Sequence, residues 1–106
     1  MIKKKFIITI KLLIFFSIFS FSKADEIFTK GKEIFLNKGN CQSCHVLSEA
    51  KSTGAIGPNL NDLKPDKQRI IMAVSNGIGV MPAYQNELSL EEIDAVAHYV
   101  STASQE

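Results

Sequence analysis

Cys41-Gln42-Ser43-Cys44-His45 is the stretch on which the fold of this chain depends. Two thiols three residues apart, followed at once by an imidazole, form the attachment pattern for a c-type haem. On one helical turn the thiols project to the same side, at a separation suited to the two vinyl groups on one haem edge. His45 can then offer a neutral imidazole nitrogen to the iron. The pattern predicts two thioether bonds and one axial ligand.

The first 24 residues have the features of an export signal. Lysines at positions 3–5 form a positive start, an apolar run extends over 6–21, and Ser22-Lys23-Ala24 offers small residues to a signal peptidase. The apolar run contains Lys11 and is shorter than the roughly 20 residues of a membrane-spanning helix, so cleavage is favoured over a retained anchor. We predict a signal peptide over 1–24, a mature domain over 25–106 without a membrane span, and a periplasmic location.

Charge and length restrict what the mature chain can do. Removal of residues 1–24 takes five of the 12 basic residues and none of the 11 acidic ones, which leaves seven against eleven, a net charge of −4. A basic face for nucleic acid or an anionic membrane surface is therefore not expected. A chain of this size forms a marginal apolar core, and a large tethered cofactor would supply much of that core.

The first predicted helix extends from Asp25 to Lys38 and stops at Gly39. Its interior contains Gly31, although an interior glycine costs about 1 kcal/mol relative to alanine. Close approach of another helix is the usual reason for such a glycine. The sequence therefore predicts that a second helix packs at Gly31.

Two more helices are predicted in the second half of the chain. Pro65 is a suitable first helical residue for a helix that reaches Asn76, and Gly77 ends it. Ser89 and Glu92 form a capping box at the start of the last helix. The segments between helices are polar or rich in glycine and proline, and no strand pattern is present, so we predict an all-α domain with long loops. The buried stripe of the last helix comprises Ile93, Val96, Ala97 and Val100.

The sixth coordination position of the iron decides between electron transfer and ligand binding. Met72 lies in a helix among aliphatic residues, where methionine usually fills the core. Met81 lies in a glycine-rich loop just before Pro82, where the backbone can hold a thioether against a metal. His98 shares a polar helix face with Asp94, opposite the apolar stripe. Met81 is the predicted ligand.

These segments together resemble the class I c-type cytochromes, which are small soluble monohaem electron carriers. The resemblance covers nearly all of 25–106 and implies three to four helices and long loops around one covalently bound haem, with the first and last helices crossing at Gly31. The residues that carry it are Gly31, Phe35, Cys41-Gln42-Ser43-Cys44-His45, Gly57-Pro58-Asn59-Leu60, Val80-Met81-Pro82-Ala83, Val96 and Tyr99.

The same resemblance implies the cofactor site. His45 and Met81 would bind the iron, and the carbonyl of Pro58 would accept a hydrogen bond from His45. A narrower resemblance, carried by residues 76–84 and 88–93, is to short bacterial cytochromes that include cytochrome subunits of sulfite dehydrogenases. The residues implied to contact the haem are Cys41, Cys44, His45, Pro58, Leu60 and Met81.

Three functions are compatible with the sequence. We favour a monomeric carrier that passes single electrons between redox proteins, either alone or as the cytochrome subunit of a dehydrogenase, with partners that present a basic docking patch to the acidic chain. The alternative is a haem peroxidase or ligand sensor with a labile sixth ligand. The third function is a redox dithiol or half of a zinc site at Cys41 and Cys44. A redox dithiol would need the alternating strand and helix pattern of a thioredoxin-like fold, and zinc would need two further ligands, and the sequence shows neither.

Overall fold

The computed structural model describes residues 22–106, so the predicted signal peptide lies almost wholly outside the described residues. The described part confirms the predicted all-α class, with four α-helices. Among residues 22–106, no helix has the length and apolar character needed to cross a membrane. The elements are α1 (Lys23–Leu36), a 3₁₀ turn (Cys41–Ser43), β1 (Val46–Leu47), a second 3₁₀ turn (Ser48–Ala50), β2 (Ser52–Thr53), α2 (Leu60–Leu63), α3 (Lys67–Asn76) and α4 (Leu90–Ala103).

Helix α1 begins and ends two residues earlier than the predicted Asp25 to Lys38. The Ser22 hydroxyl caps its start by accepting a hydrogen bond from the N–H of Asp25. At the other end Asn37 leaves helical geometry, with φ −120° and ψ −82°. The N–H of Gly39 then donates to the carbonyl of Ile34 at 2.7 Å, which turns the chain toward the attachment motif.

Helices α1 and α4 cross at Gly31, as predicted. A Cβ at Gly31 would lie 2.6 Å from the Cβ of Tyr99 and would overlap the carbonyl oxygen of Ala95. Tyr99 is 0% exposed, and its ring makes edge contacts with Phe28 and Phe35 at centroid distances of 4.9 and 5.7 Å. The helices can therefore pack this closely only because position 31 has no side chain.

The core lies mainly between α1, α3 and α4, and it contains every residue of the predicted stripe on α4. The predicted capping box is present: the N–H of Glu92 donates to the Ser89 hydroxyl, and the Glu92 carboxylate accepts from the N–H of Ser89. Helix α3 is capped by Asp66, so Pro65 precedes the cap and is not the first helical residue. The buried apolar residues are Ile34, Phe35, Leu47, Leu60, Ile70, Val74, Leu88, Ile93, Ala95, Val96, Ala97, Tyr99, Val100 and Ala103.

The expectation that the chain contains no strand is wrong over 46–53. Val46 pairs with Thr53 and Leu47 with Ser52 in a two-stranded antiparallel hairpin. The Ser52 hydroxyl also accepts a hydrogen bond from the N–H of Leu47 at 3.0 Å. Strands of two residues are too short to show an alternating pattern, so hydrophobic periodicity could not predict them.

Glu49, at the turn of this hairpin, is bonded to both crossing helices. Its carboxylate lies 3.0 Å from Lys32 Nζ on α1 and accepts a 2.8 Å hydrogen bond from the Tyr99 hydroxyl on α4. Burial by itself would raise the pKa of Glu49, but the bonds from Tyr99 and Lys32 outweigh it and hold the pKa below its usual value. The segment that follows the attachment motif is thus fixed to the helix crossing.

Candidate haem site

Cys41 begins a 3₁₀ turn and Cys44 caps its end, which agrees with the helical turn expected from the sequence. Asn40 enters the turn with φ 50°, and the N–H groups of Cys44 and His45 both donate to the carbonyl of Cys41. The Gln42 amide donates to the carbonyl of Leu36 at 2.9 Å and so ties the turn to α1. Both thiols are free, as covalent attachment of a cofactor requires.

The environment of Cys41 favours a protonated thiol. Burial, with a smaller contribution from Cys44, raises the pKa of Cys41 to about 11. Gly39 passes so close that a Cβ there would lie 3.1 Å from Cys41 Sγ. A redox-active dithiol needs a thiolate with a lowered pKa, so this site is poorly suited to that chemistry.

The hydrogen bond expected from the resemblance is present at His45. Nδ1 of His45 lies 2.8 Å from the carbonyl oxygen of Pro58. Because a carbonyl oxygen can only accept, Nδ1 carries the proton, and Nε2 keeps its lone pair for a metal. Such a bond also fixes the ring orientation and raises its basicity as a ligand.

Two glycines let the chain pass directly beside the attachment turn. A Cβ at Gly57 would lie 2.6 Å from Cε1 and 3.0 Å from Nε2 of His45, and one at Gly54 would lie 2.7 Å from the backbone nitrogen of Cys44. The N–H of Gly57 donates to the carbonyl of Cys44 at 2.7 Å. The sequence predicted a loop between the helices here but did not show that either glycine is required by contact with the motif.

Met81 lies in a tight turn after α3. Its backbone pairs with that of Ile78 through hydrogen bonds of 2.9 and 3.1 Å, and Gly77 and Gly79 supply positive φ values of 74° and 56°. Met81 is half-buried and packs against the core. Met72, expected to fill the core, is 58% exposed on the outer side of α3, so that expectation is wrong.

The remaining predicted residues lie on two helices. Leu60, implied to contact the haem, is the buried first residue of α2, directly after the capping residue Asn59. His98, the disfavoured ligand candidate, is half-buried on α4. Asp94, on the same side of α4 as His98, pairs with Lys67 of α3 at 2.9 Å. That face is therefore occupied by a contact between two helices.

Tyr84 is a residue of this region that the sequence did not single out. Its hydroxyl donates a 2.8 Å hydrogen bond to the carbonyl of Gly39, just before the attachment turn. Burial, followed by the neighbouring Cys41, raises the pKa of Tyr84, so the phenol remains a donor at neutral pH. The two partners are 45 residues apart, so no local pattern could have indicated the bond.

Charged residues are absent from the three stretches that carry the site. Residues 39–48, 52–61 and 70–86 contain no Asp, Glu, Lys or Arg, although the rest of residues 25–106 contains 18 such residues. The apolar side chains of Ile56, Ile78 and Val80 are 72%, 67% and 88% exposed in these stretches. The candidate ligands thus lie in stretches of sequence that contain no charged residues and that carry several apolar side chains.

The residues present fit a covalently attached haem. Two free thiols on one turn suit two thioether bonds, and Nε2 of His45 is the nitrogen left for the iron. The Met81 thioether is a soft ligand of the kind found opposite histidine in haem proteins. At Gly57 the backbone packs directly against the imidazole ring, in a space that holds no side chain.

Comparisons with known proteins agree with this assignment. Residues 26–100 match the family described as cytochrome C oxidase, cbb3-type, subunit III. Cytochrome c6 of Microcystis aeruginosa is 38% identical over 74 residues, which cover 66% of this chain and 89% of that protein. Chloroplastic cytochrome c6 of Chlamydomonas reinhardtii is 40% identical over 76 residues, which cover 66% and 50%. The crystal structure of the c-type cytochrome SorU from Sinorhizobium meliloti shares 49% identity with a TM-score of 0.73, and the match covers 76% of this chain and 93% of that one.

Proposed function

Because this chain belongs to the c-type cytochromes, whose haem c is covalently bound, we propose that it is an exported one-electron carrier with iron ligated by His45 and Met81. The observation that carries the proposal is the hydrogen bond from His45 Nδ1 to the Pro58 carbonyl, which leaves Nε2 as the ligand atom. Membership of this family also removes the zinc and dithiol hypotheses, since the two cysteines are used for attachment.

The protein part of the mechanism is to hold two ligands in fixed positions. Cys41 and Cys44 would attach the cofactor, and the hydrogen bond to the Pro58 carbonyl fixes the orientation of the His45 ring. Haem c supplies the one-electron chemistry of iron when it is bound. A Met81 thioether ligand would favour the reduced state of the iron, and ligands that move little between oxidation states would keep the energetic cost of electron transfer low.

The chain is proposed to act as a carrier and not as an enzyme. The stretches of sequence beside the proposed ligands carry uncharged and apolar groups, including Ile56 and Val80. A peroxidase would instead need an acid and base pair beside the open coordination position. The cytochrome c6 relatives support the same assignment.

The signal pattern supports export, and the net charge of the chain supports a choice of basic partners. The signal pattern over 1–24 supports a periplasmic carrier, and we expect it to be a monomer. The mature net charge of −4 favours redox partners with a basic docking patch. Since the stretches beside the ligands are uncharged, the attraction comes from acidic residues farther away, such as Glu33 on α1 and Glu91 on α4.

The ligand assignment is tested by the spectrum of the ferric holoprotein. We expect a low-spin form with a methionine–iron charge-transfer band that is lost in Met81→Ala. The reduction potential of that variant should fall by a sizeable part of the roughly 0.8 V range that axial ligands span. Met72→Ala is the matched control, because Met72 is exposed on α3, and it should leave band and potential unchanged. A high-spin wild type would instead support the peroxidase or sensor.

A further inference from the structure

Tyr84 connects the loop that carries Met81 with the turn that carries the two cysteines. Its hydroxyl donates to the carbonyl oxygen of Gly39 at 2.8 Å, and Gly39 is buried two residues before Cys41. The Tyr84 ring is half-buried and packs against the core. One side-chain hydrogen bond thus joins the two segments that bear the proposed ligands.

Both ends of this bond are anchored by the backbone. The N–H of Gly39 donates to the carbonyl of Ile34 at 2.7 Å, which fixes it to α1. The N–H of Tyr84 donates to the carbonyl of Val74 on α3 at 2.8 Å, and its own carbonyl accepts from the N–H of Leu88 at 2.8 Å. The bond therefore links two fixed points and is not a contact between mobile surface groups.

The turn that bears Met81 has fewer attachments of its own. The backbone of Met81 bonds to Ile78 inside the same turn, so these hydrogen bonds shape the turn itself, and beyond it Met81 is held by the packing of its side chain against the core. Pro82 and Ala83, which connect Met81 to Tyr84, are exposed. The position of Met81 relative to His45 consequently depends on the anchor at Tyr84.

We propose that Tyr84 is a positioning residue that keeps the Met81 turn closed against the attachment turn and so sets how readily Met81 yields the iron to an external ligand. The inference rests on the proposed ligation by His45 and Met81. Opening of the loop would break the bond from Tyr84 to Gly39, so removal of the hydroxyl makes opening easier.

The test is a titration of the ferric holoprotein with imidazole, followed by loss of the methionine–iron band. Tyr84→Phe keeps the packed ring and removes only the hydroxyl. We expect its apparent affinity for imidazole to rise about two- to tenfold over that of the wild type, the factor by which loss of one hydrogen bond changes an opening equilibrium. The reduction potential should fall in the same variant, because a looser methionine stabilises the reduced iron less.

Tyr99→Phe is the matched control. It also removes a buried tyrosine hydroxyl, one that donates to Glu49 at 2.8 Å, but at the helix crossing and away from the Met81 turn. This variant should lower the global stability and leave imidazole affinity at the wild-type value. A rise in affinity only in Tyr84→Phe supports the inference.

Two results would overturn the role of Tyr84. Imidazole affinity could be unchanged in Tyr84→Phe, or it could rise equally in both tyrosine variants, which would mark a general loss of stability. A wild-type protein that lacks the methionine–iron band is a different failure, because it contradicts the ligation by Met81 before any tyrosine variant is made.

Discussion

At the crossing of α1 and α4 the residues are held by apolar contact, whereas in the loops that carry His45 and Met81 they are held by hydrogen bonds to backbone carbonyls. The crossing has no room for a methyl group at Gly31, and Tyr99 is completely buried there. In the loops, His45 is held by the Pro58 carbonyl, and the neighbouring side chains are more exposed.

The two regions should respond differently to substitution because their interactions differ. Close-packed apolar contacts belong to the whole core, so a disturbance at the crossing should be felt as a loss of global stability. A hydrogen bond to one loop carbonyl orients one side chain, so its loss should mainly change the spectrum and reduction potential of the iron. Substitutions beside the proposed iron ligands should therefore change the haem site without disturbing the core.

The largest effect is expected from Gly31→Ala. The added methyl group would overlap Ala95 and Tyr99 and force the two helices apart, at a cost of about 3 kcal/mol or more in the free energy of unfolding. Chemical denaturation of the holoprotein measures it. Gly79→Ala is the control, since a Cβ there meets nothing within 4 Å and the positive φ of 56° alone should cost about 1 kcal/mol. Equal losses in the two variants would contradict the tight crossing.

Gly57→Ala should affect the iron more than the fold. A Cβ at this position lies within 3.0 Å of three atoms of the His45 ring, so the imidazole must tilt and its bond to Pro58 must weaken. We expect a loss of about 1–2 kcal/mol in unfolding free energy together with a lower reduction potential and a changed ferric spectrum. A variant with normal spectrum and potential would show that the loop does not orient the ligand.

Acid should weaken the ion pair between Lys38, which follows α1, and Glu92, which lies in the first turn of α4. The hydrogen bond from Lys38, with help from the N–H of Ser89, lowers the pKa of Glu92 from 4.5 to about 2. Because the pKa is lower in the folded protein, the contribution of Glu92 to stability is complete above about pH 4.5 and is lost as the pH falls toward 2.

This pH dependence is measured as the stability difference between the wild type and Glu92→Gln, a substitution that can keep the capping box. The difference should be constant above pH 4.5 and shrink below it. Glu91→Gln, a change in the same exposed first turn of α4, is the control. A difference that grew on acidification would have the wrong sign and would contradict the lowered pKa.

The smallest expected effect is that of salt on electron transfer to a basic partner. The net charge of −4 should make the bimolecular rate fall as ionic strength rises, but the stretches beside the ligands are uncharged, so a modest decrease is expected. Stopped-flow mixing with a basic redox protein measures the rate. Lys38→Glu should speed the reaction slightly at low salt, and a rate that rises with salt would exclude a basic docking patch.

The sequence was sufficient where a feature is local or depends on one residue type. Gly31 predicted the helix crossing, the Ser89 and Glu92 spacing predicted the cap, and the five-residue motif predicted the attachment turn. The bond between His45 and Pro58 was implied by family resemblance and is present. Each of these involves either neighbours in sequence or a strong steric requirement.

The sequence failed where distant residues meet or where a segment is very short. The bonds from Tyr84 to Gly39 and from Tyr99 to Glu49 connect positions 45 and 50 residues apart, and no periodicity encodes them. The exposure of Met72 was missed because its aliphatic neighbours suggested a buried side chain, whereas α3 turns this position outward.

The meeting of the first and last helices also sets an order of events during biogenesis. Position 31 of α1 contacts positions 95 and 99 of α4, so the core cannot close until almost the whole chain has been synthesised. Until then the Cys41 thiol lacks the burial that raises its pKa, and both free cysteines are open to covalent attachment. The nascent chain around its cysteines therefore stays unfolded until α4 has been synthesised.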